Sequence, residues 1–262
     1  MKNYEYILFD VEDGIGVLTI NNPKSLNALN RKTLEEVKEV VSSIKAGEVD
    51  VKFLLVTGAG EKAFVAGADI KEMAEMSTLE AQDFSRLGNE VNLLIENLSI
   101  PTLAVVNGYA LGGGLELAMS CDIRFASDNA LVGLPEVGLG LIPGFGGTQR
   151  LSRIIGLPKA KELVFSAENL KANQALEIGL FNRVFDKETL MDEAKAYAQK
   201  VTKQGQIAVQ TAKEIMNAGY EMTVDQGVEL EMKSFGLLFS TEDYKEGTQA
   251  FIESRKPNFK NK

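Results

Sequence analysis

Histidine and tryptophan are absent from this 262-residue sequence, and cysteine occurs once. Without histidine the chain cannot form the Ser-His and Cys-His pairs that activate nucleophiles, and it cannot form a Cys/His zinc site. A single cysteine excludes a disulfide within the chain. Cys121 lies between Ser120 and Asp122 at the end of an apolar stretch, which is typical of a small core residue and not of a nucleophile.

The motifs of common nucleotide and esterase sites are also missing. No GxGxxG, GxxxxGKS/T or GxSxG pattern occurs, and the nearest candidate, residues 144–147, has the wrong glycine spacing. These absences disfavour a dinucleotide-dependent enzyme, a nucleotide hydrolase and a serine esterase.

Membrane-spanning and targeting segments are lacking as well. No apolar run has the length of a transmembrane helix, and the first residues, MKNYEYILFDVEDG, resemble neither a secretory signal nor a transit peptide. With 45% hydrophobic and 25% charged residues, the composition is that of a soluble globular protein. The net charge of -9 argues against nucleic acid as the main partner. We therefore expect a cytoplasmic protein with neither a membrane nor a nucleic-acid partner.

Strand and helix patterns alternate in the first part of the chain. Strand-like runs at 7–9 and 15–20 flank a turn, and a helix is predicted at 31–45 with Asn30 as its N-cap. The other predicted elements are strands at 53–56 and 103–106, a helix at 78–98, and, beyond residue 151, helices at 158–167, 171–178, 187–203, 206–218 and 223–239 with one strand at 181–185. The fold class is therefore α/β with a helical C-terminal part.

A glycine-rich junction follows the strand at 103–106. The turn residues 107–108 end that strand, three glycines follow at 112–114, and residues 115–121, LELAMSC, are predicted to form a helix. Glycine lets the backbone approach a ligand closely, and the first turn of a helix presents N–H groups without partners. This junction is suited to an anion or to a carbonyl oxygen that gains negative charge.

Two glutamates lie in the same glycine-rich region. Glu116 is in the predicted apolar helix, where a buried carboxylate is costly unless it is partnered or takes part in chemistry, and Glu136 follows Pro135 in a turn. Taken singly, Glu136 also fits a solvated loop residue, and Glu116 fits a charge favoured at a helix N-terminus. Paired carboxylates with backbone donors suit proton transfer next to an activated carbonyl.

Three motifs in this order resemble those of the enoyl-CoA hydratase (crotonase) family: KAFVAGADIKEM at 62–73, NGYALGGGLELAMSCD at 107–122 and PEVGLGLIPGFGGTQRL at 135–151. The resemblance extends from about residue 16 to residue 256. It implies a spiral of ββα repeats at 1–195 and a C-terminal helical oligomerisation region at 196–262. The family commonly forms homotrimers, or homohexamers that are dimers of trimers.

The resemblance also implies a reaction and a set of site residues. The backbone N–H groups of Ala68 and Gly113 would form an oxyanion hole for the thioester carbonyl of an acyl-CoA substrate. Glu116 would act as the base on the water that attacks C3, and Glu136 would supply the proton to C2. The implied activity is reversible hydration of a short-chain trans-2-enoyl-CoA, such as crotonyl-CoA, to a (3S)-3-hydroxyacyl-CoA, with no metal and no redox cofactor.

Coenzyme A contacts follow from the same resemblance. Residues 66–70 resemble the family's adenine-binding loop, and the pantetheine would lie near two residues of the SLNAL segment. The CoA-binding residues so implied are Ala66, Gly67, Asp69, Ile70, Leu26 and Ala28, with Lys24, Lys62 and Lys71 as candidates for the phosphates. Any single surface lysine is more often merely solvated. We expect a short acyl pocket with Met73, Met76 and Phe84 near the acyl end, although the stripe that contains Phe84 is also typical of a core.

Two positions depart from the family pattern. Leu134 stands where many hydratases have a glutamine, two residues before the second glutamate. Ser254 stands where relatives often have a lysine that reaches a neighbour's CoA, which leaves Arg255 and Lys256 as substitutes. The first departure affects the expected contacts around the glutamates, and the second affects the expected binding of the CoA phosphates.

Two other functions compete with hydration. Δ3,Δ2-enoyl-CoA isomerisation typically keeps only the second carboxylate, so the presence of both glutamates favours hydration. A noncatalytic RNA-binding relative is disfavoured because the basic residues of the first helix form no dense basic surface.

A cluster of large apolar residues in the tail predicts assembly. It consists of Phe235, Leu237, Leu238 and Phe239. This is more apolar surface than one stripe facing its own domain needs, so part of it should be buried against another subunit.

Overall fold

The computed structural model describes residues 3–262 and contains two β-sheets. The larger sheet has six strands in the order β1-β2-β3-β5-β7-β10, and the smaller has four in the order β4-β6-β8-β9. The strands are β1 Ile7–Glu12, β2 Ile15–Ile20, β3 Phe53–Gly58, β4 Ala63–Val65, β5 Thr102–Val106, β6 Tyr109–Leu111, β7 Ile123–Ser127, β8 Leu131–Gly133, β9 Leu170–Lys171 and β10 Arg183–Phe185. Among the strand pairs of residues 3–262, β1/β2 and β8/β9 are antiparallel and the others are parallel.

The helices cover the sheets and extend beyond them at the C-terminal end. They are α1 Arg31–Lys45, α2 Ile70–Ala74, α3 Thr78–Glu96, α4 Gly113–Ser120, α5 Gly147–Ile155, α6 Leu157–Ser166, α7 Ala172–Glu177, α8 Leu190–Thr202, α9 Gln206–Tyr220, α10 Val224–Leu238 and α11 Glu242–Ile252. Two short 3-10 helices lie at Pro23–Ser25 and Pro135–Leu139. None of the helices in the described part of the chain combines the length and the apolar character needed to span a bilayer.

Three consecutive ββα units give the chain a spiral path. In each unit the first strand (β3, β5 or β7) joins the larger sheet, and the second (β4, β6 or β8) joins the smaller one. The equivalent strands of successive units pair in parallel, with Val56 opposite Ala104 and Ala104 opposite Arg124 in the larger sheet. The similar segments LLVTGAG and AVVNGYA begin the first two units. This topology confirms the predicted α/β spiral.

Helix α4 lies in the interior of this spiral, and all of its residues are buried. Its close packing depends on Gly114, because a methyl group there would lie 1.9 Å from the Val65 carbonyl oxygen of β4. Only glycine allows the helix and the strand to approach so closely. Helix α4 is thereby fixed against the smaller sheet, and this determines where its N-terminal turn lies.

The C-terminal helices differ in how they contact the rest of the chain. Helix α8 packs on the larger sheet through Leu190 and Ala194, and α9 is tied to the core by Lys213, whose ammonium donates to Asp122 at 2.8 Å and to the Ile100 carbonyl at 2.9 Å. Helix α10, in contrast, has no buried residue. The division of the chain at residues 195 and 196 stays a prediction, and that boundary lies within α8.

Candidate active site

The candidate site is built around the N-terminal turn of α4. Gly112 precedes the helix with φ +49°, a left-handed conformation that favours glycine, and its N–H donates to the Gly133 carbonyl at 2.9 Å. Gly113 is the first helical residue, so its N–H has no partner within the helix. The junction between β6 and α4 therefore presents a free N–H at the positive end of a buried helix.

The N–H of Ala68 lies next to this turn. A methyl group at Gly113 would lie 3.5 Å from the Ala68 nitrogen, and no hydrogen bond within residues 3–262 uses either the Ala68 or the Gly113 N–H. Ala68 is held in place by its neighbours, since Leu29 donates to the Gly67 carbonyl at 2.8 Å and accepts from the Asp69 N–H at 2.8 Å. The structure thus brings together the two backbone donors that the sequence predicted.

Glu116 projects from α4 into a nearly dry environment, with 1% of its surface exposed. Its Oε1 accepts the N–H of Phe145 at 2.8 Å and of Gly147 at 2.6 Å. Burial raises the pKa of Glu116 to about 7, and the negative charge of Glu136 also raises it, while the two N–H groups and Arg150 lower it. A carboxyl with this pKa exchanges a proton readily near neutral pH.

Glu136 approaches the same turn from the 3-10 helix Pro135–Leu139. Its Oε1 lies so close to Gly112 that a methyl group there would be 2.6 Å away, and its Oε2 is buried with no hydrogen-bond partner among residues 3–262. Burial raises the pKa of this carboxyl. Both carboxyls therefore flank the α4 turn, and in both the protonated form is favoured relative to a glutamate in water.

The loop that holds Glu116 is itself anchored to α3, which the sequence did not predict. The Gly144 carbonyl accepts from Ser85 Oγ at 2.6 Å and from Asn89 Nδ2 at 2.8 Å, and the Phe145 carbonyl accepts from Asn92 Nδ2 at 2.9 Å. These three side chains recur at helical spacing on an otherwise amphipathic helix. That polar stripe is the signal in the sequence that could have identified them.

Two phenylalanine rings pack against the N-terminal turn of α4. The Phe145 ring lies against Gly113, where a methyl group would be 3.1 Å from it, and it packs edge-on against Phe84 with ring centroids 5.3 Å apart. Phe84 is thus a buried residue one layer behind the turn, and Met73 and Met76 are partly buried against the same core. Buried Leu134 extends to Gly147, where a methyl group would lie 3.0 Å from its Cδ1, and so adds apolar surface beside Glu116.

The predicted CoA-binding segments also lie side by side. The Ala66 N–H donates to the Leu26 carbonyl at 3.1 Å, and Leu29 pairs with Ala68, so the SLNAL segment borders the loop at 66–70. The Asp69 carboxylate is the N-cap of α2, accepting the N–H groups of Lys71 and Glu72. The three predicted phosphate ligands, Lys24, Lys62 and Lys71, are solvent-exposed, and within the described residues none of them forms an ion pair.

Two basic residues of the tail, Arg255 and Lys256, differ in whether their charge is paired. Arg255 follows Ser254, which has φ +54°, and its guanidinium donates to both carboxylate oxygens of Glu246 and to Glu253. These contacts hold the pKa of Glu246 at about 2. Lys256 is exposed and has no such partner among residues 3–262. Of the two substitutes considered for the missing lysine, Arg255 already has its charge paired within its own chain.

Cys121 lies away from this chemistry. It is buried, and burial raises the pKa of its thiol to about 12, so it is not a nucleophile at neutral pH. Among residues 3–262, no group of three or more cysteine, aspartate or glutamate side chains could hold a metal ion.

Comparisons with known proteins relate this architecture to a single family. The model of the enoyl-CoA hydratase/isomerase family matches residues 10–262. The chain is 51% identical to a short-chain-enoyl-CoA hydratase of Clostridium acetobutylicum and 48% identical to a crotonyl-CoA hydratase of Syntrophomonas wolfei, each match covering 98% of both proteins. The crystal structure of an enoyl-CoA hydratase from Bacillus anthracis superimposes with a TM-score of 0.95 at 37% identity, covering 98% of this chain and 100% of the other.

Proposed function

The chain belongs to the enoyl-CoA hydratase/isomerase family, and on this basis we propose that it catalyses reversible hydration of short-chain trans-2-enoyl-CoA thioesters to (3S)-3-hydroxyacyl-CoA. One observation carries this proposal. The buried carboxyl of Glu116 and the half-buried carboxyl of Glu136 flank a helix N-terminal turn, which presents two N–H groups without partners among residues 3–262. Relatives with the names short-chain-enoyl-CoA hydratase and crotonyl-CoA hydratase support crotonyl-CoA as the preferred substrate.

The two N–H groups give the site its electrostatic component. The thioester carbonyl oxygen would accept from Ala68 and Gly113, and it gains negative charge as water adds to C3 of the enoyl group. Donors that are already oriented in a dry site stabilise this enolate-like oxygen without reorganising during the reaction. The positive end of α4 adds to the same effect.

The two carboxyls would divide the proton transfers. Glu116 as the carboxylate takes a proton from the water whose oxygen bonds to C3, and Glu136 as the acid gives its proton to C2. The raised pKa values suit these roles: a pKa of about 7 lets Glu116 take up and release a proton near neutral pH, and burial favours the protonated form of Glu136 that acts as the acid. Proton exchange with solvent then restores the starting forms. The net change is the addition of one water molecule, and no metal or redox cofactor takes part in these steps.

The bound CoA would extend along the loops that border the turn. Its adenine is proposed to lie at Ala66–Ile70, with the pantetheine near Leu26 and Ala28. Lys24, Lys62 and Lys71 are the proposed phosphate ligands, since their charges are exposed and unpaired in the described residues. Lys256 is the better candidate in the tail, because Arg255 is paired with Glu246.

A chain-length assay tests this function. We expect purified protein to hydrate crotonyl-CoA, measured as loss of enoyl-thioester absorbance, without added cofactor and in the presence of a chelator. Its kcat/KM should be higher for crotonyl-CoA than for decenoyl-CoA. A higher kcat/KM for decenoyl-CoA contradicts the short acyl pocket, and isomerisation without hydration contradicts the proposed reaction.

Assembly into a trimer or hexamer is the expected state in solution. Helix α10 buries none of its residues within the chain, and Phe235 and Leu237 are 63% and 71% exposed. Apolar surface of this extent is normally covered by another subunit. Light scattering at micromolar concentration should report a mass of three or six chains, and a monomer would contradict this expectation. The cytoplasmic location and the absence of a nucleic-acid partner stay predictions.

A further inference from the structure

One peptide group connects helix α3 with the Glu116 carboxylate. The carbonyl of Gly144 accepts from Ser85 Oγ at 2.6 Å and from Asn89 Nδ2 at 2.8 Å. The N–H of the same peptide group belongs to Phe145 and donates to Glu116 Oε1 at 2.8 Å. Because a trans peptide is planar, its C=O and N–H point in opposite directions, so the donors on α3 and the carboxylate lie on opposite sides of one rigid unit.

Hydrogen bonds in such a chain strengthen one another. A donor to the carbonyl oxygen polarises the amide and makes its N–H a stronger donor, and the effect is larger in a buried setting than in water. We propose that Ser85 and Asn89 are positioning residues that keep the Glu116 carboxylate oriented and ionised, acting through the Gly144–Phe145 peptide group. This inference rests on the proposed function, in which Glu116 is the base.

The next peptide group provides an internal comparison. The Phe145 carbonyl accepts from Asn92 Nδ2 at 2.9 Å and from Arg150 Nη1 at 3.2 Å. The N–H of that peptide belongs to Gly146, and in the described part of the chain it makes no hydrogen bond. Asn92 therefore anchors the same loop from the same helix without a hydrogen-bonded path to Glu116.

The charges that face Glu116 do not change when Ser85 or Asn89 is replaced. They are Glu136 from the 3-10 helix and Arg150 from α5, and Arg150 is itself paired with Glu96 of α3 at 2.6 Å. Ser85 and Asn89 carry no charge. A change in the titration of Glu116 in variants of these two residues is therefore not caused by the loss of a charge.

The direction of the effect follows from the hydrogen bonds. Each N–H that donates to the Glu116 carboxylate lowers its pKa, so weakening the Phe145 N–H raises a pKa that already lies at about 7. The base is the ionised form, so kcat/KM falls as pH decreases through this value. This fall is the acid limb of the pH profile of kcat/KM. Loss of both donors should move the acid limb to higher pH by roughly half a unit to one unit. On the limb itself, kcat/KM should then be about three- to tenfold lower than in the wild type.

The test compares pH profiles of kcat/KM for crotonyl-CoA hydration. We expect the upward shift in the double variant Ser85→Ala/Asn89→Leu and a smaller one in each single variant. Ser85→Thr keeps the hydroxyl donor and should keep the wild-type limb, and Asn92→Leu should lower the melting temperature without moving the limb. An unmoved limb in the double variant, or an equal shift in Asn92→Leu, overturns the inference.

A second readout does not require activity. Because burial raises the pKa of Glu116 in the folded state, its ionisation lowers stability as pH rises from about 4.5 through about 7. Glu116→Gln removes this cost of ionisation, so the gain in melting temperature that it causes should be larger at pH 8 than at pH 5. This difference between the two gains should be greater in the Ser85→Ala/Asn89→Leu background than in the wild type. An equal gain in both backgrounds overturns the inference. A wild type without hydratase activity would contradict the proposed function, while this thermal comparison would still decide the inference.

Discussion

Glutamine in place of Glu116 or Glu136 is expected to lower kcat for crotonyl-CoA hydration by roughly 100- to 10,000-fold, the usual contribution of general acid–base groups. Glutamine keeps the shape and a hydrogen-bonding oxygen, so KM should change little. If the two carboxyls act on one water, the double variant should be only slightly slower than the slower single variant, because groups that act as a unit are not additive.

The controls for this experiment separate chemistry from folding. Each variant should keep the wild-type circular dichroism spectrum. Glu35→Gln is the matched substitution, because Glu35 is exposed on α1, away from the turn of α4, and its kcat should equal that of the wild type. Losses in the two single variants that multiply in the double variant would mean that the carboxyls act independently.

Proline at position 113 is expected to have an effect of similar size. Gly113→Pro removes the N–H proposed for the oxyanion hole, and loss of one such donor typically costs roughly 100- to 1,000-fold in kcat. Proline is tolerated at the first position of a helix, so α4 should still form. The measurement is again kcat for crotonyl-CoA hydration in protein shown to be folded.

Gly113→Ala is the control for the added side chain. Alanine keeps the N–H and places its methyl group 3.1 Å from the Phe145 ring, so it reports the steric cost of the β-carbon with the N–H retained. We expect Gly113→Ala to be impaired much less than Gly113→Pro. Equal activity of the two variants would show that the Gly113 N–H does not stabilise the reacting oxygen.

The long elements of the fold could be predicted from the sequence because their signals are local. The apolar stripe and the cap of α1 lie within the helix itself, and the structure has this helix at Arg31–Lys45 with the Asn30 side chain accepting the Thr33 N–H. The hairpin of β1 and β2 follows from its turn residues in the same way. Periodicity over such lengths identifies an element without knowledge of its partners.

The smaller sheet could not be predicted from periodicity. Its strands β4, β6 and β8 have three residues each, which is too short for an alternating pattern to be distinguished from a turn. They are held by pairing with one another and by contact with α4, and these contacts are long-range. The family resemblance supplied the spiral that the residue pattern alone did not.

The glutamates of the site could be proposed from the sequence, but their surroundings could not. The N–H groups that hold Glu116 are 29 and 31 residues away along the chain. The spacing of Ser85 and Asn89 marks a polar stripe on α3, but their partner, the Gly144 carbonyl, is 55 to 59 residues away along the chain and only the fold brings it to them.

The kcat of a folded Glu116→Gln variant for crotonyl-CoA hydration tests the central claim most directly. Hydration is proposed to need Glu116, whereas isomerisation typically keeps only the second carboxylate. The Glu116 carboxylate, which is buried and held by two backbone N–H groups, is the proposed base. We predict a loss of at least about 100-fold with little change in KM. A well-folded Glu116→Gln protein that hydrates crotonyl-CoA at nearly the wild-type rate would contradict the two-carboxylate mechanism and favour a reaction centred on Glu136 alone.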